Sequence, residues 1–187
     1  MHVTATPFEG LYIIEPKVFS DSRGTFFESY KESVLRDHGL SANFVQDSQS
    51  ISHRGVLRGM HWQAPPHAQT KLVRVVTGRL LDVVIDLRRE SRTFKQWFSI
   101  ELTAANAKLL WIPRGFAHGF LALEDNTTFL YKVDSEFAPD SERGIAWNDP
   151  EIGVDWDLAA SGIERPSLSP RDEKLPRLQE LPVGCLF

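Results

Sequence analysis

Apolar and polar residues alternate through the middle of the chain with the period of extended strands. The clearest run is Leu80 to Leu87. There Leu81, Val83, Ile85 and Leu87 share one face, while Leu80, Asp82, Val84 and Asp86 share the other. Strands are also predicted over Lys71 to Val76, ended by Thr77-Gly78, and over Trp97 to Leu102, Lys108 to Ile112, His118 to Leu123 and Thr127 to Val133. Turn signals recur between these runs at short intervals, as in an all-β sandwich or barrel. Helix is scarce. Glu32 to His38 is the one predicted, with Gly39 as its C-cap. From Ile145 onward the chain is rich in Pro, Asp and Gly, which predicts loops and short turns wrapping the strands. The expected fold is therefore one all-β domain over residues 1–187, an antiparallel jelly roll with a few short helices, with residues 145–187 as the wrapping segment.

Length and charge narrow the function classes. The 187 residues suffice for one domain with a sizeable core. No apolar run is long enough for a membrane-spanning helix, and residues 1–10 do not read as a signal peptide. The single cysteine, Cys185, allows no intrachain disulfide, which fits a reducing cytoplasm. A net charge of −4 gives no general electrostatic reason to bind nucleic acid, though it leaves room for a local basic pocket.

The stretch Gly55-Val-Leu-Arg-Gly-Met-His-Trp-Gln63, followed by Lys71 and Gly78, has the frame of the first metal-binding motif of a cupin barrel. His61 stands at the first histidine, but Gln63 replaces the second and Lys71 falls where a glutamate belongs. An ammonium group repels a cation, so no metal or other cofactor is expected. Pro113-Arg-Gly-Phe-Ala-His118 fits the second motif of the same frame and delivers His118 into the barrel. The expected fold is accordingly a cupin-like barrel. Arg58, His61 and Lys71 would face one cavity, and three potentially basic groups together call for a bound anion. A neutral imidazole suits a general base. Phe129, Tyr131 and Val133 share one face of their strand, so Tyr131 is a candidate acid if it lies across from His61. Taken alone, Asp21-Ser-Arg23-Gly-Thr-Phe26-Phe-Glu28 reads as an exposed turn and edge strand. Leu168-Ser-Pro-Arg171-Asp172 reads as a capped turn.

Together these segments, with Phe44-Val-Gln-Asp, Trp111-Ile-Pro-Arg-Gly-Phe-Ala-His-Gly-Phe and Phe129-Leu-Tyr-Lys, resemble the dTDP-4-dehydrorhamnose 3,5-epimerase family from about Phe8 to Asp172. The resemblance implies a metal-free homodimer acting on a dTDP-sugar. Strands near the N-terminus would be exchanged, so that Phe19, Arg23 and Phe26 complete the partner's site. It assigns His61 as base, Tyr131 as acid and Lys71 as support for the C4 oxyanion. It also assigns Asp172 as the carboxylate that orients His61, a role for which Asp82 competes. Arg58 and Arg23 correspond to diphosphate contacts, Glu28 and Gln46 to nucleotide and sugar contacts, and His118 to a sugar or phosphate contact. Phe137 or Phe26 would stack on thymine, and Glu142 and Arg171 fill further binding positions.

The chain departs from the family pattern at Ser48, where an asparagine amide is usual, at Trp62, and at Glu136-Phe137. Three other functions share the frame. One is a 3- or 5-epimerase or ketoisomerase of another deoxysugar pathway, one a metal-dependent oxygenase, and one a non-catalytic sugar-nucleotide-binding module.

Overall fold

The computed structural model describes residues 1–187, apart from the side chain of Val183. Thirteen strands follow in chain order: β1 (His2–Ala5), β2 (Tyr12–Glu15), β3 (Phe19–Asp21), β4 (Gly24–Phe26), β5 (Gln46–Ser52), β6 (Leu57–Gln63), β7 (Lys71–Thr77), β8 (Arg79–Asp86), β9 (Trp97–Thr103), β10 (Leu109–Ile112), β11 (Phe116–Ala122), β12 (Thr127–Val133) and β13 (Glu142–Gly144). One helix, α1 (Glu32–Asp37), precedes β5, and short 3-10 turns occur at Pro139–Ser141 and from Asp172 onward.

Two antiparallel sheets face each other, as in a jelly roll. The six-stranded sheet runs β1-β2-β10-β7-β12-β5 and the five-stranded sheet runs β13-β6-β11-β8-β9. Between them lies a core of Val73, Val75, Leu80, Val84, Leu110, Phe116, Phe120 and Phe129. A second cluster covers the outer face of the five-stranded sheet. There Val83, Ile85 and Leu87 pack against Ile152, Trp156, Ile163 and Leu178 of the C-terminal segment. β8 is thus buried on both faces, one inside the barrel, where Asp82 and Asp86 interrupt the apolar run, and one under the wrapping segment. A third cluster joins Leu35 of α1 and Leu40 to Ile14, Leu72, Leu109 and Trp111 on the outer face of the other sheet.

The predicted strands are present with ends shifted by one or two residues. The largest shift is in β11, which begins at Phe116, paired with Asp86, rather than at His118. β5 went unpredicted because its sequence, Gln-Asp-Ser-Gln-Ser-Ile-Ser, carries no apolar alternation. Its less exposed face is polar, since Gln46, Ser48 and Ser50 border a polar cavity rather than core.

The hairpin β3–β4 stands apart. It forms a two-stranded sheet of its own with every residue exposed, including Phe19 at 52% and Phe26 at 67%. No helix among the described residues is long and apolar enough to cross a membrane.

Candidate active site

Strand β6 departs from regular alternation, and that departure assembles the site. Three residues apart on a regular strand, Arg58 and His61 would point to opposite faces. Against β11, however, His61 pairs with His118 and Arg58 with Phe120, so β6 carries one extra residue in between. This β-bulge turns both side chains into the barrel while Met60 and Trp62 stay in the outer cluster. Gly59 sits in the bulge at φ 134°, and a Cβ there would lie 2.5 Å from Gly119 Cα. Only glycine fits so close an approach.

The cavity between the sheets has a volume of about 580 Å³. Its walls include Arg58, His61 and His118 from the five-stranded sheet and Lys71, Phe129 and Tyr131 from the six-stranded one. Ser169, Arg171 and Asp172 of the C-terminal segment close one side. A smaller void of about 300 Å³ shares His61, Lys71 and Tyr131 and adds Gln46, Ser48, Phe137 and Glu142.

His61 Nε2 lies 2.7 Å from Asp172 Oδ1. Burial pushes the Asp172 carboxyl up, but the hydrogen bond and charge of His61, the Gly59 N–H and Ser169 together hold it below the usual carboxylate range. An ionised carboxylate only accepts, so Nε2 carries the proton and the Nδ1 lone pair of a neutral ring is left free. The turn that carries Asp172 is fixed by its own N–H donating to Ser169 Oγ at 3.0 Å.

Asp82, the competing partner, is engaged elsewhere. His118 Nε2 lies 2.9 Å from Asp82 Oδ2, both side chains being buried. Burial raises the Asp82 carboxyl, opposed by His118 and Lys71. The histidine of the frame's second motif therefore has a carboxylate partner of its own.

Lys71 is half-buried on β7. Burial lowers its ammonium to about 8, with Asp82 and Glu142 pulling it back up. Among the described residues it makes no ion pair within 4 Å, so the cation is available to the cavity. No three His, Cys, Asp or Glu side chains among the described residues gather as a metal site.

The remaining site residues fall into two groups. Arg58 donates to Ser52 Oγ at 3.2 Å and lines the cavity. Arg171 pairs with Glu142 at 2.7 Å. Gln46 bridges Ser48 Oγ and the Phe137 N–H. The hairpin residues are not brought to this site within one chain. Arg23 instead pairs with Asp21 at 2.7 Å, and Glu28, beyond the hairpin, pairs with Lys31 at 3.2 Å. Phe19 and Phe26 lie beside Arg23 on a separate exposed surface. Gln49, Ser50 and Ser169 line the cavity without having been singled out from the sequence. No spacing marks isolated Ser or Gln residues as ligands. The orphan Ser50 hydroxyl, buried without a partner, shows up only in three dimensions.

A His–carboxylate pair, an ammonium and a phenol around one cavity of a cupin-like barrel are groups able to take, hold and return protons on a bound small molecule. A family model described as dTDP-4-dehydrorhamnose 3,5-epimerase matches residues 5–180. The dTDP-4-dehydrorhamnose 3,5-epimerase of Salmonella typhimurium is 45% identical over 96% of this chain and 97% of its own. The Legionella pneumophila enzyme, solved in complex with dTDP-4-keto-L-rhamnose, superimposes with a TM-score of 0.93 at 39% identity, covering 99% of this chain and 96% of that one. ChmJ, a 3'-monoepimerase from Streptomyces bikiniensis solved with dTDP-quinovose, gives a TM-score of 0.85 at 34% identity, covering 93% and 86%. The chain belongs to the dTDP-4-dehydrorhamnose 3,5-epimerase family.

Proposed function

We propose that this protein inverts C5 and C3 of dTDP-4-dehydro-6-deoxy-D-glucose, giving dTDP-4-dehydro-L-rhamnose for dTDP-L-rhamnose synthesis. The observation that carries this reading is that His61 and Tyr131 border one cavity from opposite sheets. Inversion at carbon needs a base on one face and an acid on the other.

Both carbons flank the C4 ketone, so each C–H is acidified by it. His61 Nδ1 takes the proton, the C–H electron pair enters the ring bond, and the C4 oxygen gains the charge. Lys71 stabilises that oxygen, a role worth about 3–4 kcal/mol for one such donor. Tyr131 then returns a proton to the opposite face and the ketone reforms. Solvent restores the phenol and takes the proton from His61, so the cycle balances without oxidant or cofactor. Asp172 holds the His61 ring in the required tautomer.

Arg58 serves the diphosphate, where a guanidinium fork matches phosphate oxygens. Gln46, Ser48, His118, Glu142 and Arg171 serve the sugar and nucleoside, and Phe137 stacks on the base. The hairpin β3–β4 belongs to a homodimer. A two-stranded ribbon is at best marginal by itself, and its exposed Phe19 and Phe26 suit docking on a second copy. Phe19, Arg23 and Phe26, with Glu28 just beyond, then complete the neighbouring site. Residues 1–187 act as one domain in the cytoplasm, where Cys185 stays reduced.

A single-centre epimerase is the second reading, favoured by the likeness to ChmJ. Turnover in deuterated water, followed by NMR and trapping with a downstream reductase, separates the two. Deuterium at both C3 and C5 with an L-sugar product is expected, and label at one carbon alone refutes the double inversion. Tyr131→Phe should still exchange protons while losing inversion by about 10²-fold or more.

A further inference from the structure

Gln63 stands two residues beyond His61 on β6, where the metal-binding frame has its second histidine. Its side chain is buried and all of its hydrogen-bonding groups are engaged. Nε2 donates to the His67 carbonyl at 2.7 Å and to the Glu136 carbonyl at 3.2 Å, and Oε1 accepts the Ala138 N–H at 2.7 Å. Two more amides grip the same segment. Gln46 Oε1 accepts the Phe137 N–H at 2.9 Å, and Gln69 Nε2 donates to the Ser135 carbonyl at 2.7 Å. Residues 135–138 are therefore held by three glutamines rather than by apolar burial, with Glu136 and Phe137 both exposed.

We propose that Gln63 is a positioning residue for nucleotide binding. It ties the Glu136–Ala138 segment to the strand that bears His61, so that the Phe137 ring stands ready at the rim of the smaller cavity as a platform for the nucleobase. The abandoned ligand position has become an anchor linking the proton-transfer centre to the base-binding end of the substrate. Without it the segment must be ordered when the nucleotide binds, and that ordering cost falls on affinity rather than on the chemical step. This inference rests on the proposed assignment of Phe137 to the base.

The test uses Gln63→Met, which keeps volume and removes every bond to the segment. Kd for dTDP is measured by calorimetry, KM and kcat with dTDP-4-dehydro-6-deoxyglucose, and folding by circular dichroism. Expected are rises of about ten-fold in Kd and KM, the size of one or two lost hydrogen bonds, with kcat changed by less than about three-fold. In a Phe137→Leu background the same substitution should add almost nothing, since the platform is already gone. Gln63→Asn, which keeps the amide's donors and acceptor on a side chain one methylene shorter, carries the same test with a smaller rise if Gln63→Met does not fold. A loss of kcat at unchanged KM, or full additivity with Phe137→Leu, overturns the proposal. A wild-type protein that binds dTDP but does not turn over the sugar would instead refute the assigned reaction and leave the Kd arm standing.

Discussion

Lys71 should weaken the fold it serves. Burial lowers its ammonium from 10.5 to about 8, and each tenfold change in proton affinity is worth about 1.4 kcal/mol. The folded state therefore bears a penalty of about 3 kcal/mol for the charged side chain at neutral pH. The sign follows from the depressed value. Below pH 8 both states hold the proton and the full penalty applies. Between about pH 8 and 10.5 the folded state releases its proton first, and the penalty fades. Lys71→Met should thus raise stability at pH 7 by up to about 3 kcal/mol and by far less at pH 10. It should also lower kcat by about 10²–10³-fold through the lost oxyanion partner. Urea unfolding at the two pH values reads the difference, provided that m is unchanged. A variant less stable than wild type at pH 7, or equally stabilised at both pH values, would show that the buried ammonium is not the source of strain.

Two further outcomes follow from the geometry. Gly59→Ala places a Cβ 2.5 Å from Gly119 Cα, a backbone clash at a left-handed φ. It should cost about 3 kcal/mol or more, visible as a lower denaturation midpoint, and it should also displace Arg58 and His61. Mixing Arg23→Ala protomers with His61→Asn protomers should restore activity to about a quarter of wild type if hairpins serve the neighbouring site. In half of the random dimers, one of the two sites then carries neither lesion. Mixtures with no activity beyond the parents argue against exchange.

The parts of this molecule that bury apolar side chains in alternation could be read from sequence. β7, β8, β9, β10 and β12 follow from spacing alone, and His118 enters the barrel behind its Pro-x-Gly turn. What escaped was set by pairing between distant segments. Arg58 and His61 are expected on one cavity, but strict alternation would split them, and the bulge that lets both face it is seen only in the register of β6 against β11. Asp172 approaches His61 across 111 residues of chain. Residue resemblance put it forward alongside Asp82, and the separate pairing of Asp82 with His118 distinguishes the two. β5 carries no apolar stripe because its inward face meets a polar cavity. Gln63 read as a lost ligand, and its anchoring bonds became visible only when the 135–138 segment folded over it.

On the proposed assignment of base and acid to His61 and Tyr131, borne by opposed sheets, the handedness of the product becomes a property of topology. The sheets that carry the two groups are spaced as in a sandwich, roughly 10 Å between backbones, and side chains that reach inward fill the space between them. The interior ring of Phe129, 5.9 Å from that of Tyr131, is thus part of a gauge for stereochemistry. Thinning or thickening that layer shifts the reach between two fixed chemical groups. Selectivity among ring carbons can then drift through core volume alone, with His61 and Tyr131 unchanged.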